Sequence, residues 1–195
     1  MSAAVILAGG KSRRMGRDKL ELTVGGKTLL ESDLQRFSEV FDDVYLSVGD
    51  AQKYPGIHMR RIVDIYPGAG PMSGLHAALS TLECDGIFLV AADLPFACPH
   101  AAKRIIELCG ESDACIIKLP DGKLEPLFGY YRKTLLPLSE EALKSGENRM
   151  DKLLLRARTR FIDPSELGEL WDEEIMLNIN CPEDYEKLQK HTLRT

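Results

Sequence analysis

Two short runs, Val5-Ile6-Leu7 and Phe88-Leu89-Val90, are apolar at every position and leave no polar residue to turn toward water. A strand of that kind has to be covered on both faces, so the chain needs a sheet sandwiched between helices. Further runs read as strands beside them: Ala3 to Leu7, Val44 to Val48, Arg61 to Val63, Ile87 to Ala91, Ala114 to Lys118 and Leu127 to Tyr131. Helical spacing lies between several of these, in Leu30, Leu34, Phe37 and Phe41 and again in Ala102, Ile105, Ile106 and Cys109, while Leu135 to Leu143 reads as a core helix. Strand, helix, strand implies parallel crossovers. The expected class is a three-layer α/β/α fold with a mostly parallel central sheet.

The 195 residues suit one domain spanning 1–195, and the turn-rich stretch Tyr66 to Gly74 is too short to separate two. A net charge of −5 argues against a general nucleic-acid binder, which needs clustered positive charge. The five cysteines, Cys84, Cys98, Cys109, Cys115 and Cys181, have no paired metal-ligand spacing and read as mostly reduced core thiols. The amino terminus is apolar first and basic afterwards, the reverse of a secretory signal. The longest apolar stretch elsewhere, Gly86 to Ala92, is far short of the ~20 residues of a membrane helix. A cytoplasmic protein that engages neither membrane nor nucleic acid is expected.

Ligands of such sheets collect at the carboxyl ends of the strands, and the two most informative stretches fall there. The first strand runs into Gly9-Gly10-Lys11-Ser12-Arg13-Arg14-Met15-Gly16-Arg17-Asp18-Lys19, where adjacent glycines allow close backbone approach and five cations crowd residues 11–19. That composition suits a polyphosphate. Asp93 emerges after five apolar residues, Phe88 to Ala92, a place suited to Mg²⁺, which binds one or two carboxylates plus substrate phosphate oxygens. A turn or cap role before Pro95 is the alternative. Asp64 ends the third strand in the same way, with capping as its alternative. Asn178-Ile179-Asn180 places two amides on one face of an extended segment, fit for a polar ligand or for loop stabilisation. Pro182 to Gln189 reads as a closing helix. The four histidines, His58, His76, His100 and His191, form no catalytic or metal motif. Two look-alikes fail on spacing: Gly25-Gly26-Lys27-Thr28 lacks the first glycine of a P-loop, and Gly68 to Gly74 is no dinucleotide fingerprint.

The ordered set of Leu7 to Gly16 with Lys19, Asp64, Gly70-Pro71-Met72-Ser73-Gly74-Leu75, Asp93-Leu94-Pro95-Phe96, Glu125-Pro126-Leu127 and Asn178 to Asp184 resembles the molybdenum cofactor guanylyltransferases. The resemblance implies a Rossmann-like fold of the nucleotide-diphospho-sugar transferase type and transfer of GMP from GTP to molybdopterin. In that reading Leu7, Ala8, Gly9 and Gly10 contact the guanine nucleotide, Lys19 its phosphates, Asp64 the GTP, and Asp93 holds Mg²⁺. Arg14 and Gly16 match the signature loop, with Arg14, Lys19 and Asp93 as the catalytic set. Asn178 and Asn180 match the pair on the cofactor side, and cofactor-insertion or recipient molybdoenzyme proteins are the partners it implies. Small departures are Met72 and Ser73 in the Gly-Pro turn, Ala92 before the aspartate, Gly129-Tyr130 after the Pro126 segment, and Cys181 before Pro182. A cytidylyltransferase acting on the same pterin tends to carry alanine where Gly9 stands. Sugar-phosphate nucleotidyltransferases typically have proline where Asp18 precedes the lysine. A nonenzymatic carrier of nucleotide or pterin would not need Lys19, Asp64 and Asp93 together.

Overall fold

The computed structural model describes residues 2–9, 18–179 and 184–185. Among these, seven strands form one sheet in the order β5-β4-β1-β6-β8-β7-β9. The strands are β1 Ser2–Leu7, β4 Val44–Val48, β5 Arg61–Val63, β6 Gly86–Ala91, β7 Ala114–Lys118, β8 Leu124–Arg132 and β9 Thr159–Ile162. Two residues each of β2 (Thr23–Val24) and β3 (Lys27–Thr28) make a separate hairpin. Its turn is Gly25-Gly26, at φ of +60° and +86°, the left-handed pair that a tight hairpin turn requires. The glycines that mimic a P-loop therefore have a purely conformational reason.

Pairing is parallel from β5 through β4 and β1 to β6, and between β7 and β9. β8 alone runs against its neighbours β6 and β7. It returns through residues 119–123, where Leu119 and Lys123 bond across the turn and Gly122 sits at φ of +86°. A connection that short cannot hold a crossover helix, so this one strand departs from the uniform crossover pattern. The sheet stays mostly parallel.

Helices α1 (Leu29–Ser38), α2 (Pro71–Thr81), α3 (Pro99–Leu108), α4 (Leu136–Lys144) and α5 (Met150–Arg156) cover it. Alternate strand residues divide between two cores, as a period of two demands. Ala4, Ile6, Phe88 and Val90 pack with Leu30, Leu34 and Phe37 of α1 and Ala102 and Ile105 of α3. Ala3, Val5, Ile87 and Leu89 pack on the opposite face with Met72, Leu75 and Leu79 of α2 and Leu153 and Leu154 of α5. Val5, Ile6, Phe88 and Leu89 are all wholly buried, the two-sided cover their sequence demands.

Local signals start the helices. Thr28 and Glu31 form a capping box on α1, each satisfying the other's backbone amide. Pro71 and Pro99 stand in the first turns of α2 and α3, where a missing N–H costs nothing. α2 begins inside the stretch that reads as a turn region. Met72 to Leu79 are buried all round, so the helix carries no polar stripe to betray its period. The expectations for Gly10, Arg14, Gly16, Asn180, Cys181 and the whole of the closing helix 182–189 lie outside the described residues, apart from Asp184 and Tyr185. The four described cysteines are free thiols. No helix among the described residues is long and apolar enough to cross a membrane.

Candidate active site

Register brings the ends of the central strands level: Leu7 lies opposite Ser47 on one side and Ala91 on the other. Each ladder runs one rung further, with Ala8 N bonding Ser47 O, Ala92 N bonding Leu7 O and Asp64 N bonding Val48 O. The segments that leave this rim are the ones rich in glycine and carboxylate: Ala8-Gly9, Asp64 and Asp93.

Asp93 and Lys19 meet here. The Lys19 ammonium donates to Asp93 Oδ2 at 2.6 Å and to the backbone carbonyl of Ile179 at 2.8 Å. Ile179 N in turn donates to Asp93 O at 3.1 Å, so the late extended segment is stitched to the aspartate by backbone alone. The Ile179 side chain is wholly buried with Leu22 and Leu29, which anchors the stitch. Lys19 is set by a short 3₁₀ turn, Lys19–Glu21, whose cap is Asp18, with Leu20 N bonding Asp18 Oδ1 at 3.1 Å. Among the described residues Asp93 caps no helix, and α3 is capped by Cys98.

Beneath the Asp93 turn lies a charged pair that sequence reasoning overlooked. Arg36 donates to the carbonyl of Pro95 and to the carboxylate of Asp33, which is 3% exposed. Burial pushes the Asp33 carboxyl up to about 7 against the pull of Arg36, and the nearby charge of Asp93 adds to the rise. A signal was available, because Asp33 falls on the buried stripe of Leu30, Leu34 and Phe37 and Arg36 follows three residues later.

Asp64 sits between Gly49 and α2. A Cβ on Gly49 would come within 3.6 Å of Asp64 Oδ2. On Gly74 it would strike Leu7 Cδ2 at 2.5 Å and Ser47 Oγ at 2.8 Å. Gly74 is therefore needed to let α2 approach the end of β1. Burial raises the Asp64 carboxyl above its usual range, offset in part by the hydroxyl of Ser73, which is buried outside ordinary hydrogen-bond geometry. Asp64 does not cap α2 either; Gly70, at φ of +65°, stands at that cap without a side-chain bond. Gly9 is exposed, and among the described residues a Cβ there would meet nothing within 4 Å.

Asn178 donates from Nδ2 to Met176 O at 3.2 Å, a local bond of the loop-stabilising kind. Beside the rim, the start of β8 and the start of α5 flank an open groove of about 470 Å³ lined by Pro71, Leu124, Pro126, Leu127, Asn148 and Arg149. Gly129, further along β8, has its own packing reason: a Cβ would lie 2.5 Å from Ile116 Cγ2 and 3.2 Å from Cys115 O. No group of three or more His, Cys, Asp or Glu side chains gathers to cage a metal among the described residues.

A doubly covered, mostly parallel sheet with a lysine-aspartate pair at the carboxyl rim and a basic glycine-rich stretch after the first strand is the arrangement of the nucleotidyltransferase class, to which the chain's relatives belong. Residues 4–160 match the family described as MobA-like NTP transferase domain, and the chain belongs to that family. It is 33% identical over 95% of its length, and 91% of the relative's, to a Pelotomaculum thermopropionicum protein named "Probable molybdenum cofactor guanylyltransferase". It is 29% identical over 95% of its length, and 94% of the relative's, to the molybdenum cofactor guanylyltransferase of Campylobacter jejuni. The crystal structure of molybdopterin-guanine dinucleotide biosynthesis protein A from Archaeoglobus fulgidus superposes with a TM-score of 0.87 at 26% identity, covering 99% of this chain and 100% of that one. A cytidylyltransferase structure from Thermus thermophilus, at 17% identity and a TM-score of 0.71 over 99% of this chain and 100% of that one, shares the fold.

Proposed function

We propose that this cytoplasmic protein transfers GMP from GTP to molybdopterin, the reaction for which its relatives are named. The observation that carries the reading is the Lys19–Asp93 pair at 2.6 Å, set at the strand rim where the glycine-rich stretch begins. The terminal phosphate oxygen of molybdopterin attacks the α-phosphorus of GTP. A new P–O–P bond forms, the bond to the β-phosphate oxygen breaks, and pyrophosphate leaves with the electron pair.

Both reactants are anions, so the protein's work is positioning and neutralisation. By the family resemblance, Leu7, Ala8, Gly9, Gly10 and Asp64 would contact the nucleotide, Lys19 and Arg14 would serve the phosphates, and Gly16 belongs to the same signature. The half-buried Asp93 side chain, 22% accessible, fits Mg²⁺ because a single strand-end carboxylate leaves most of the coordination to phosphate oxygens. Mg²⁺ there would neutralise charge developing on those oxygens. Lys19 shares the carboxylate and reaches toward the phosphates from the same side. The acceptor takes the groove between β8 and α5, flanked by Pro126 and Arg149, and the cofactor-side role of Asn178 and Asn180 rests on the family resemblance. Cofactor-insertion and recipient molybdoenzyme proteins are its onward partners.

Gly9, lacking a Cβ, favours the larger guanine over cytosine, an assignment that rests on the resemblance, in which the cytidine branch tends to carry alanine there. The test is pyrophosphate release from purified protein given Mg²⁺ and molybdopterin, with GTP, CTP and ATP in parallel. Release with GTP alone is expected. Release with CTP alone would reassign the base, and release with none would leave a carrier.

A further inference from the structure

We infer that Tyr54 is a positioning residue for the Lys19–Asp93 pair, its hydroxyl tying together the two ends of the glycine-rich segment at Ala8 and Asp18. The Tyr54 hydroxyl donates to Asp18 Oδ2 at 2.8 Å and lies 3.4 Å from the carbonyl oxygen of Ala8. Those two residues bracket the nine between them, so one phenol spans the neck of that segment. From Asp18 the chain of contacts continues: Asp18 caps the Lys19–Glu21 turn, and Lys19 reaches Asp93 and Ile179. The inference rests on the proposed role of Lys19 at the phosphates.

Three further observations mark Tyr54 as placed for this contact. It is 7% exposed, and it alone among the described non-glycine residues has a positive φ, +54°. An aromatic side chain rarely adopts that conformation, so the surroundings must impose it. Arg61 supplies the imposition: its guanidinium donates to the carbonyls of Ala51, Lys53, Tyr54 and Ile57, which fixes the loop from β4 to β5 around one cation. Lys53 adds its ammonium 3.4 Å from both Asp18 Oδ2 and the Tyr54 oxygen. Burial and the Asp18 carboxylate hold the phenol well above its ordinary range, so it remains a donor throughout the physiological pH range. Although burial opposes it, the Tyr54 hydroxyl, the Leu20 amide and Lys53 keep Asp18 below the usual carboxylate range and therefore an acceptor.

The test is Tyr54→Phe, which keeps the ring and removes the bond. Two readouts are taken on the full chain. In steady-state transfer, kcat is expected to fall about tenfold while KM for GTP stays within about twofold, the size of one lost hydrogen bond to a charged group. In hydrogen exchange on the ligand-free protein, the amides of Leu20, Glu21 and Leu22, bonded to Asp18 and Lys19, are expected to exchange about tenfold faster, with β1 and β6 unchanged. Asp18→Asn should produce the same pattern, and the double variant should be no worse than the more damaged single one. A merely structural Tyr54 would lower Tm while leaving kcat per folded molecule and the local exchange at wild-type values, and that result overturns the inference. Should the wild-type protein release no pyrophosphate, the transferase reading fails by itself, and the exchange comparison still decides the role of Tyr54.

Discussion

Lys19 and Asp93 come from segments 74 residues apart, and each is held by backbone bonds as well as by the other's charge. A carboxylate so placed is costly to neutralise and cheap to reshape, so the isosteric change is the informative one. Asp93→Asn is expected to lower transfer at least about 100-fold, as loss of a charge-stabilising group does, with KM for GTP little altered. Steady-state kinetics at saturating Mg²⁺ checks this, and near-normal turnover would remove Asp93 from the site. Asp93 could be nominated from the chain alone because it directly follows a fully apolar strand, and Lys19 because it closes the basic glycine-rich stretch, its phosphate role coming from the family resemblance. Asp33 and Arg36 could not be weighed in the same way. Their importance comes from the Pro95 carbonyl that Arg36 meets while paired with Asp33, and that contact exists only once α1 lies under the Asp93 turn. The backbone of Ile179 is a further case, since a main-chain acceptor leaves no trace in side-chain chemistry.

At the scale of elements, β8 and its neighbours show how closely strand pairing constrains composition. Gly129 faces Ile116 across a pair in which a methyl group has no room. Gly129→Ala is therefore expected to destabilise the protein by about 1–3 kcal/mol through overpacking, read as a lower denaturant midpoint with an unchanged slope. The far end of the same strands is locked by Asp113. Its carboxylate accepts from Arg158 Nε at 2.9 Å, Arg158 Nη2 at 2.8 Å and Thr134 Oγ1 at 2.8 Å, while its backbone carbonyl accepts from Arg132. The Arg158 bonds, opposed by slight burial and helped by Thr134, hold the Asp113 carboxyl at about 2 against an ordinary 3.8. A carboxyl lowered on folding stabilises fully above its unfolded value and loses that contribution as pH falls through the folded one. The Tm deficit of Asp113→Asn is thus expected to be largest near neutral pH and to close between pH 3.8 and about 2. A deficit unchanged at pH 2 would mean the carboxylate charge is not what locks the strands. Elements with strong local patterns, β1, β4, β5, β6 and β7, were legible within a residue or so of their observed bounds. β9 and α5 were not, because four polar-flanked residues and a seven-residue helix carry too little periodicity to stand out.

Across the whole molecule the sheet separates two cores, and one of them is built on an aromatic chain. Phe37 stacks on Phe41 at 5.9 Å, Phe41 lies 6.4 Å from Phe88, and Phe88 meets Phe128 edge-on at 4.9 Å. Phe88 is wholly buried at the centre of that chain, on the strand that delivers Asp93. Phe88→Ala is expected to cost about 3–5 kcal/mol by equilibrium unfolding, the range for emptying a buried aromatic site. A cost below about 1 kcal/mol would mean that the surrounding rings close over the space.

The order of apolar runs determined by itself that the sheet is covered on both faces, and it pointed to the carboxyl rim as the place to look for a site. Local composition likewise determined which residues leave that rim carrying charge, because strand end and glycine-rich loop are adjacent in the chain. Tertiary structure decided what local pattern cannot encode: the reversed direction of β8, the all-round burial of α2, the Arg61-held loop that turns Tyr54 toward Asp18, and the groove between β8 and α5. Each depends on contacts between segments far apart in sequence, whose energies are set by distance and burial in three dimensions and have no signature in any one segment read by itself.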